Sequence, residues 1–134
     1  IVVSFAHKDF TPWNSSFENA TLSVIDWERA EFMTPIYYDF CHYIFQNEVM
    51  LRRFKTSSQL CEDVLARISR VSDMSSTVDK RQEAITYFAC YLIDHIFYRV
   101  DLYSTSTDWF PQIGWQIEAW SECIEYTTGL FSEN

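Results

Sequence analysis

The segment His7-Lys8-Asp9-Phe10-Thr11-Pro12-Trp13-Asn14 sets a histidine, an aspartate and an asparagine at the spacing H-x-D-x-x-x-x-N. A second acidic group, Ile25-Asp26-Trp27-Glu28, follows one short β-prone run. These residue types suit phosphoryl transfer. That reaction needs a carboxylate to orient and deprotonate an attacking hydroxyl, and hard oxygen ligands for magnesium on the nucleotide phosphates. Asp9 can be the base. Asn14, through its amide oxygen, and Asp26, through its carboxylate, can hold the metal and, through it, ATP or GTP.

These side chains need elements to position them. Ile1 to Ala6 is a short apolar run and reads as a buried strand or extended segment leading into the loop. Pro12 prevents a helix from continuing through the loop. Asn14 to Asn19 is polar and reads as a turn, and Thr21 to Trp27 as a strand carrying Asp26 at its end. One short β-hairpin would bring Asp26 back beside Asn14. From Thr34-Pro35, a good helix start, the apolar spacing becomes helical. Expected helices are Ile36 to about Phe54, Ser57 or Ser58 to about Val71, about Asp79 to Leu102, and about Gln112 to Thr128 with Gly129 as the closing cap. Ser69 to Thr77 reads as a polar linker. The third helix, with Ile85, Phe88, Ala89, Leu92, Ile96 and Val100 in one stripe and Tyr91, Ile93 and Phe97 widening it, is expected to be central.

The chain of 134 residues suits one domain, and 2 Gly and 3 Pro leave few tight turns, which favours helices over a many-stranded sandwich. The fold class is therefore mainly α within α+β. A net charge of −9 argues against a nucleic-acid partner. Tyr87 to Tyr98, the most apolar run, is too short and polar to cross a bilayer, so no membrane partner is expected. Cys41, Cys61, Cys90 and Cys123 have neither zinc spacing nor a C-x-x-C pair, and read as reduced thiols of a cytoplasmic protein.

The two motifs together resemble the aminoglycoside phosphotransferase and choline kinase-like group of small-molecule kinases, on His7, Asp9, Pro12, Trp13, Asn14, Ile25, Asp26, Trp27 and Glu28, with Pro35 and Asp39 continuing the pattern. The specific resemblance covers residues 1 to about 45. It implies the C-terminal lobe of a protein kinase-like fold: a short β-hairpin at the catalytic loop, then about four helices. It implies a phosphotransferase using ATP or GTP with Mg2+, and a hydroxyl acceptor that is an amino sugar, a choline-like alcohol or a sugar. It gives His7 a structural role, hydrogen-bonded to backbone near Asp26, and makes Asp39 a brace for the catalytic loop. Lys8 stands where the family usually has glycine, and either adds charge beside the phosphates or alters the loop. Glu28 reads equally as a supporting group near the metal and as a surface carboxylate. Asp26-Trp27-Glu28 is not D-F-G, which disfavours a protein kinase.

The family's nucleotide-binding lobe has no counterpart in residues 1–134, and residue 1 is Ile. The chain therefore reads as one C-terminal catalytic lobe from a longer protein, inactive alone. The rival reading is a non-catalytic kinase-like domain that binds a protein partner.

Other clusters are weaker. His42 and His95 lie in helical segments without matched ligands and read as packed or surface residues. Asp94 beside His95 points about 100° away from it on a helix. Residues 101–134 contain no Lys or Arg. Trp109, Trp115, Glu118 and Glu122 could form an aromatic and acidic acceptor site for a cation, although a solvated acidic helix explains the charge as well.

Overall fold

The computed structural model describes residues 1–71, 79–108 and 110–132. It is a mixed α+β fold, mostly helical, with four long helices and two two-stranded antiparallel ladders. Strand β1 (Val3–Ala6) pairs with β4 (Glu31–Pro35), and β2 (Ser15–Glu18) pairs with β3 (Thr21–Val24). The helices are α1 (Tyr38–Leu51), α2 (Ser57–Val71), α3 (Lys80–Ser104) and α4 (Pro111–Ser132).

The strands differ from the sequence reading in three ways. A second ladder, β1 with β4, accompanies the expected hairpin. The segment read as a turn, Asn14 to Asn19, is mostly strand β2. The reversal falls instead at Asn19-Ala20, both with positive φ (50° and 60°), between the paired residues Glu18 and Thr21. Two successive positive φ values are the signature of the two-residue turn that matches strand twist. Finally, β1 is not buried: only Ala6 is enclosed, because nothing covers the outer face of a two-stranded ladder. Phe5 stacks there on Trp27 and packs on Phe32, all three exposed.

Helix boundaries moved for local reasons. Thr34-Pro35 ends β4 rather than starting α1, and the chain turns at Tyr37 (φ 66°) before the helix begins at Tyr38. Arg52, also left-handed, ends α1 before Phe54. Thr56, not Ser57 or Ser58, caps α2, its hydroxyl accepting from the Gln59 N–H. Asp79 caps α3 by accepting from the Arg81 N–H. Helix α4 starts at Pro111 and runs through Gly129, which is therefore not a cap. The linker expected over Ser69 to Thr77 is helical as far as Val71, and residues 72–78 lie outside the described residues.

The core sits where α2 packs on α3 and α4, with α1 alongside. Phe45, Leu65, Ile68, Phe88, Tyr91, Leu92 and Trp120 are almost wholly enclosed. Burying each large apolar side chain contributes about 2–3 kcal/mol before the entropy of ordering it. Helix α3 is central only in part. Its first half is enclosed, while Ile93, Phe97 and Val100 are exposed. The Val2 N–H donates to the Tyr87 hydroxyl, which ties the β1–β4 ladder to α3, and the Ile36 N–H donates to the Val2 carbonyl, which extends the ladder by one step. All four cysteines are free thiols. Among the described residues no helix is long and apolar enough to cross a membrane.

Candidate functional site

The loop between β1 and β2 is held from three sides. Helix α1 supplies Asp39, in its first turn, where a carboxylate also suits the helix dipole. Its Oδ2 accepts from the His7 N–H at 2.7 Å and its Oδ1 from the Lys8 N–H at 2.8 Å. The buried His7 ring lies between the loop and the second motif. Its Nε2 is 2.9 Å from the Ile25 carbonyl, so that nitrogen carries the hydrogen, and Nδ1 accepts from the Asp9 N–H at 3.2 Å. The third hold is Asn14, on a turn of 3-10 helix (Pro12–Asn14) whose proline takes its first turn. Its Nδ2 donates at 3.0 Å both to the Asp9 carbonyl and to Asp9 Oδ2.

The hairpin then returns the chain. The Ile25 N–H donates to the Asn14 carbonyl at 3.0 Å, so the ladder continues one step beyond Ser15 and Val24 and sets Asp26 next to Asn14 along the chain path. Asp26 is left-handed (φ 66°, ψ 61°), a conformation that Asp tolerates better than most residues. It precedes a turn of 3-10 helix, Trp27–Arg29, without capping it by its side chain. Among the described residues the Asn14 amide oxygen has no hydrogen-bond partner, and the exposed Asp26 follows directly on Ile25, whose N–H is bonded to the Asn14 carbonyl. Two hard oxygen donors fit a magnesium ion that takes its remaining ligands from water and phosphate. They do not suit an all-protein metal cage, and among the described residues no cluster of three or more His, Cys, Asp and Glu could hold a metal.

Asp9 itself is half-buried and surrounded by donors. His42 Nε2 lies 3.2 Å from its Oδ1, Arg99 Nη2 3.8 Å and Arg29 Nη1 3.9 Å. Burial alone would raise its pKa. The His42 hydrogen bond and the charges around it outweigh that and hold the carboxyl below its ordinary value. The His42 pKa is lowered too, but by its burial. Burial keeps its ring neutral despite the hydrogen bond to Asp9, so at neutral pH the positive charges acting on Asp9 belong to Arg99 and Arg29.

Lys8 has φ 65°, in the region that favours glycine. The backbone thus keeps a conformation glycine would take without strain, although the residue is lysine. Its ammonium binds Glu31 at 2.7 Å and Asp94 at 3.1 Å and faces the Tyr38 ring, so it is not free to meet a phosphate here. Burial opposes its charge, but the two carboxylates raise its pKa overall. Tyr38 also donates to Asp94 at 2.7 Å. Asp94 therefore points to the loop while His95, next to it, is wholly buried. Glu28 is exposed and, with Lys8, Arg29, Glu31 and Tyr98, lines a depression of about 390 Å³ beside the loop.

The second group of candidates lies elsewhere. Trp115, Glu118 and Glu122 line a separate depression of about 150 Å³ with Arg52, Phe54, Ser57 and Ala119. Arg52 ends α1, about 15 Å along the helix from His42 at 1.5 Å per residue. The Trp115 face is already met by the Arg52 guanidinium at 5.5 Å, and Glu122 accepts from the Ser57 hydroxyl at 2.6 Å. Trp109 lies outside the described residues.

Sequence reasoning passed over Arg29 and Arg99, read His42 as a packed or surface residue, and gave Asp94 no site. For His42 a signal existed. It follows Asp39 by three residues on a helix, so it faces the same loop. Nothing local marks Arg99 or Asp94, which arrive from α3. No family model, curated protein or solved structure matches this chain.

Proposed function

We propose that this chain is the C-terminal catalytic lobe of a small-molecule kinase, transferring a phosphoryl group from ATP or GTP to an alcohol. The observation that carries the reading is the loop constellation. An ionised Asp9 has each carboxylate oxygen held by a different donor, Asn14 on Oδ2 and His42 on Oδ1, and the Asn14 carbonyl is paired with the Ile25 N–H, one residue before Asp26.

In this mechanism Asp9 accepts a hydrogen bond from the acceptor hydroxyl and takes its proton as the oxygen attacks. Its lowered pKa makes it a weak base, suited to orienting the hydroxyl and to accepting the proton late. Asn14 and Asp26 would hold magnesium, which when bound neutralises charge on the transferring phosphate. Arg29 and Arg99 keep Asp9 ionised. Asp39 fixes the backbone of residues 7 and 8, and so the direction in which Asp9 points. The acceptor would be an amino sugar, a choline-like alcohol or a sugar, and the depression lined by Lys8, Arg29 and Tyr98 adjoins the Asp9 loop.

The test uses the full-length protein with magnesium nucleotide and a panel of small alcohols. Asp9→Asn should nearly abolish transfer while leaving folding and nucleotide binding intact, because the amide keeps the shape but cannot take the proton. Asp26→Ala should weaken magnesium-nucleotide binding as well as turnover. Wild-type rates in the Asp9 variant would refute the base role.

A second reading has one observation in its favour. Phe5, Trp27, Phe32 and Met33 expose apolar surface around the β1–β4 ladder, as a protein-binding domain would. On that reading the wild type transfers no phosphate.

A further inference from the structure

We propose that His42 is a positioning residue for the Asp9 carboxylate, with Tyr91 fixing the tautomer in which it acts. This rests on the kinase reading above. His42 lies one turn after Asp39 on α1, so the face that braces the backbone of residues 7 and 8 also presents an imidazole to residue 9. Its Nε2 is 3.2 Å from Asp9 Oδ1. A carboxylate only accepts, so Nε2 carries the hydrogen, and Nδ1 accepts from the Tyr91 hydroxyl at 3.3 Å. Tyr91 is wholly buried, and that burial keeps its phenol protonated and able to donate. The hydrogen bonds therefore run in one direction, from α3 through α1 to the loop.

The ring has no room to turn. It is fully enclosed, stacked on Tyr38 and met edge-on by Tyr91 and His95. With Asn14 on Oδ2 and His42 on Oδ1, the plane of the Asp9 carboxylate is set, and its remaining lone pairs are left for an acceptor hydroxyl. His42 offers no lone pair toward Asp9, so it cannot carry the proton away. Its part is orientation. A histidine kept only for packing would occupy the same volume, and the two roles separate in kinetics: misorienting the base lowers kcat and leaves nucleotide binding alone.

Four forms of the full-length protein decide it: wild type, His42→Gln, His42→Leu and Tyr91→Phe, each with magnesium nucleotide and the alcohol panel, alongside thermal unfolding. Glutamine returns an N–H close to where Nε2 stood, whereas leucine fills the space without one. His42→Leu should lower kcat roughly 30-fold with nucleotide KM within about twofold, and His42→Gln should recover to within about fivefold of wild type. Tyr91→Phe, which removes one oxygen and keeps the ring, should fall between them. If His42→Leu does not fold, the glutamine and phenylalanine variants decide alone. The role is overturned by wild-type kcat in His42→Leu, by glutamine recovering no more than leucine, or by unchanged kcat in Tyr91→Phe. A wild type that phosphorylates none of the alcohols removes the kinase reading and this role with it, a result distinct from an active wild type that is indifferent to residue 42.

Discussion

Asp39 Oδ2 lies 2.7 Å from the backbone nitrogen of His7, and its partner oxygen lies 2.8 Å from that of Lys8. One carboxylate thus satisfies two consecutive peptide groups that no strand or helix pairs. Charge-assisted bonds of this kind contribute about 1.5–3 kcal/mol each, and removing the acceptor strands the donors. Asp39→Asn keeps one oxygen but turns an NH2 group against a backbone N–H. It should destabilise the fold by about 2 kcal/mol, read by urea denaturation, with Asp39→Ala at least as damaging. A change under about 0.5 kcal/mol in both variants would show that the loop does not depend on this brace.

Much of this arrangement could be read before the fold was seen. The H-x-D-x-x-x-x-N segment, the existence of a hairpin and the position of Asp39 near a helix start follow from local spacing, although the reversal falls at Asn19-Ala20 rather than over Asn14 to Asn19. What escaped reading was long-range or set by backbone geometry. Thr34-Pro35 looks like a helix start, but pairing of β4 with β1 takes those residues first. Gly129 looks like a cap, but α4 continues past it. Arg99 and Asp94 reach the loop from α3, more than 80 residues along the chain, and no local pattern encodes that approach.

Lys8 tests backbone strain against ion pairing. A left-handed residue with a Cβ costs roughly 1 kcal/mol relative to glycine. Its pair with the well-exposed Glu31 contributes little, and the one with Asp94 somewhat more. Lys8→Gly gains the first quantity and loses the second, so its stability should stay within about 1 kcal/mol of wild type. Lys8→Ala loses the ion pairs and keeps the strain. It should be less stable than Lys8→Gly by about 1 kcal/mol in chemical denaturation. Equal stability of the two variants would remove strain at this position from the account.

His95 gives the fold an acid sensitivity. It is wholly buried, neither ring nitrogen has a hydrogen-bond partner among the described residues, and it packs on Tyr91, Trp120, Phe45 and His42. Burial first, then His42 once it is protonated, and the charges of Arg99 and Arg29 push its pKa well below the ordinary 6.5, and burial lowers that of His42 as well. The unfolded rings bind protons below about pH 6.5, and the folded ones do so only at lower pH. Stability is therefore complete above that value and falls as pH drops, approaching about 1.4 kcal/mol per pH unit for each histidine. Denaturation at pH 7.5 and 5.5 should show the fall. His95→Phe should gain about 1 kcal/mol at pH 7.5, by removing unpaired polar atoms, and should flatten the slope. An unaltered slope in the variant would assign the acid sensitivity to other groups.

The acceptor's location can be tested by charge removal at the far end of α1. A hydroxyl attacking under Asp9 must come within about 3 Å of that carboxylate. Trp115, Glu118 and Glu122 stand beside Arg52, about 15 Å along α1 from the residue that touches Asp9. The aromatic face there already meets a guanidinium and Glu122 already accepts from Ser57, so a small cationic acceptor would have to displace contacts the chain makes for itself. For single-ring amino alcohols and sugars, Glu118→Gln and Glu122→Gln in the full-length protein should leave kcat/KM within about twofold, at low salt and at high. An acceptor of several linked amino sugars is long enough to touch both places, and for it alone the same variants should raise KM in a salt-sensitive way. A tenfold rise in KM for a single-ring acceptor would put its binding site on α4 rather than in the depression lined by Lys8, Arg29 and Tyr98.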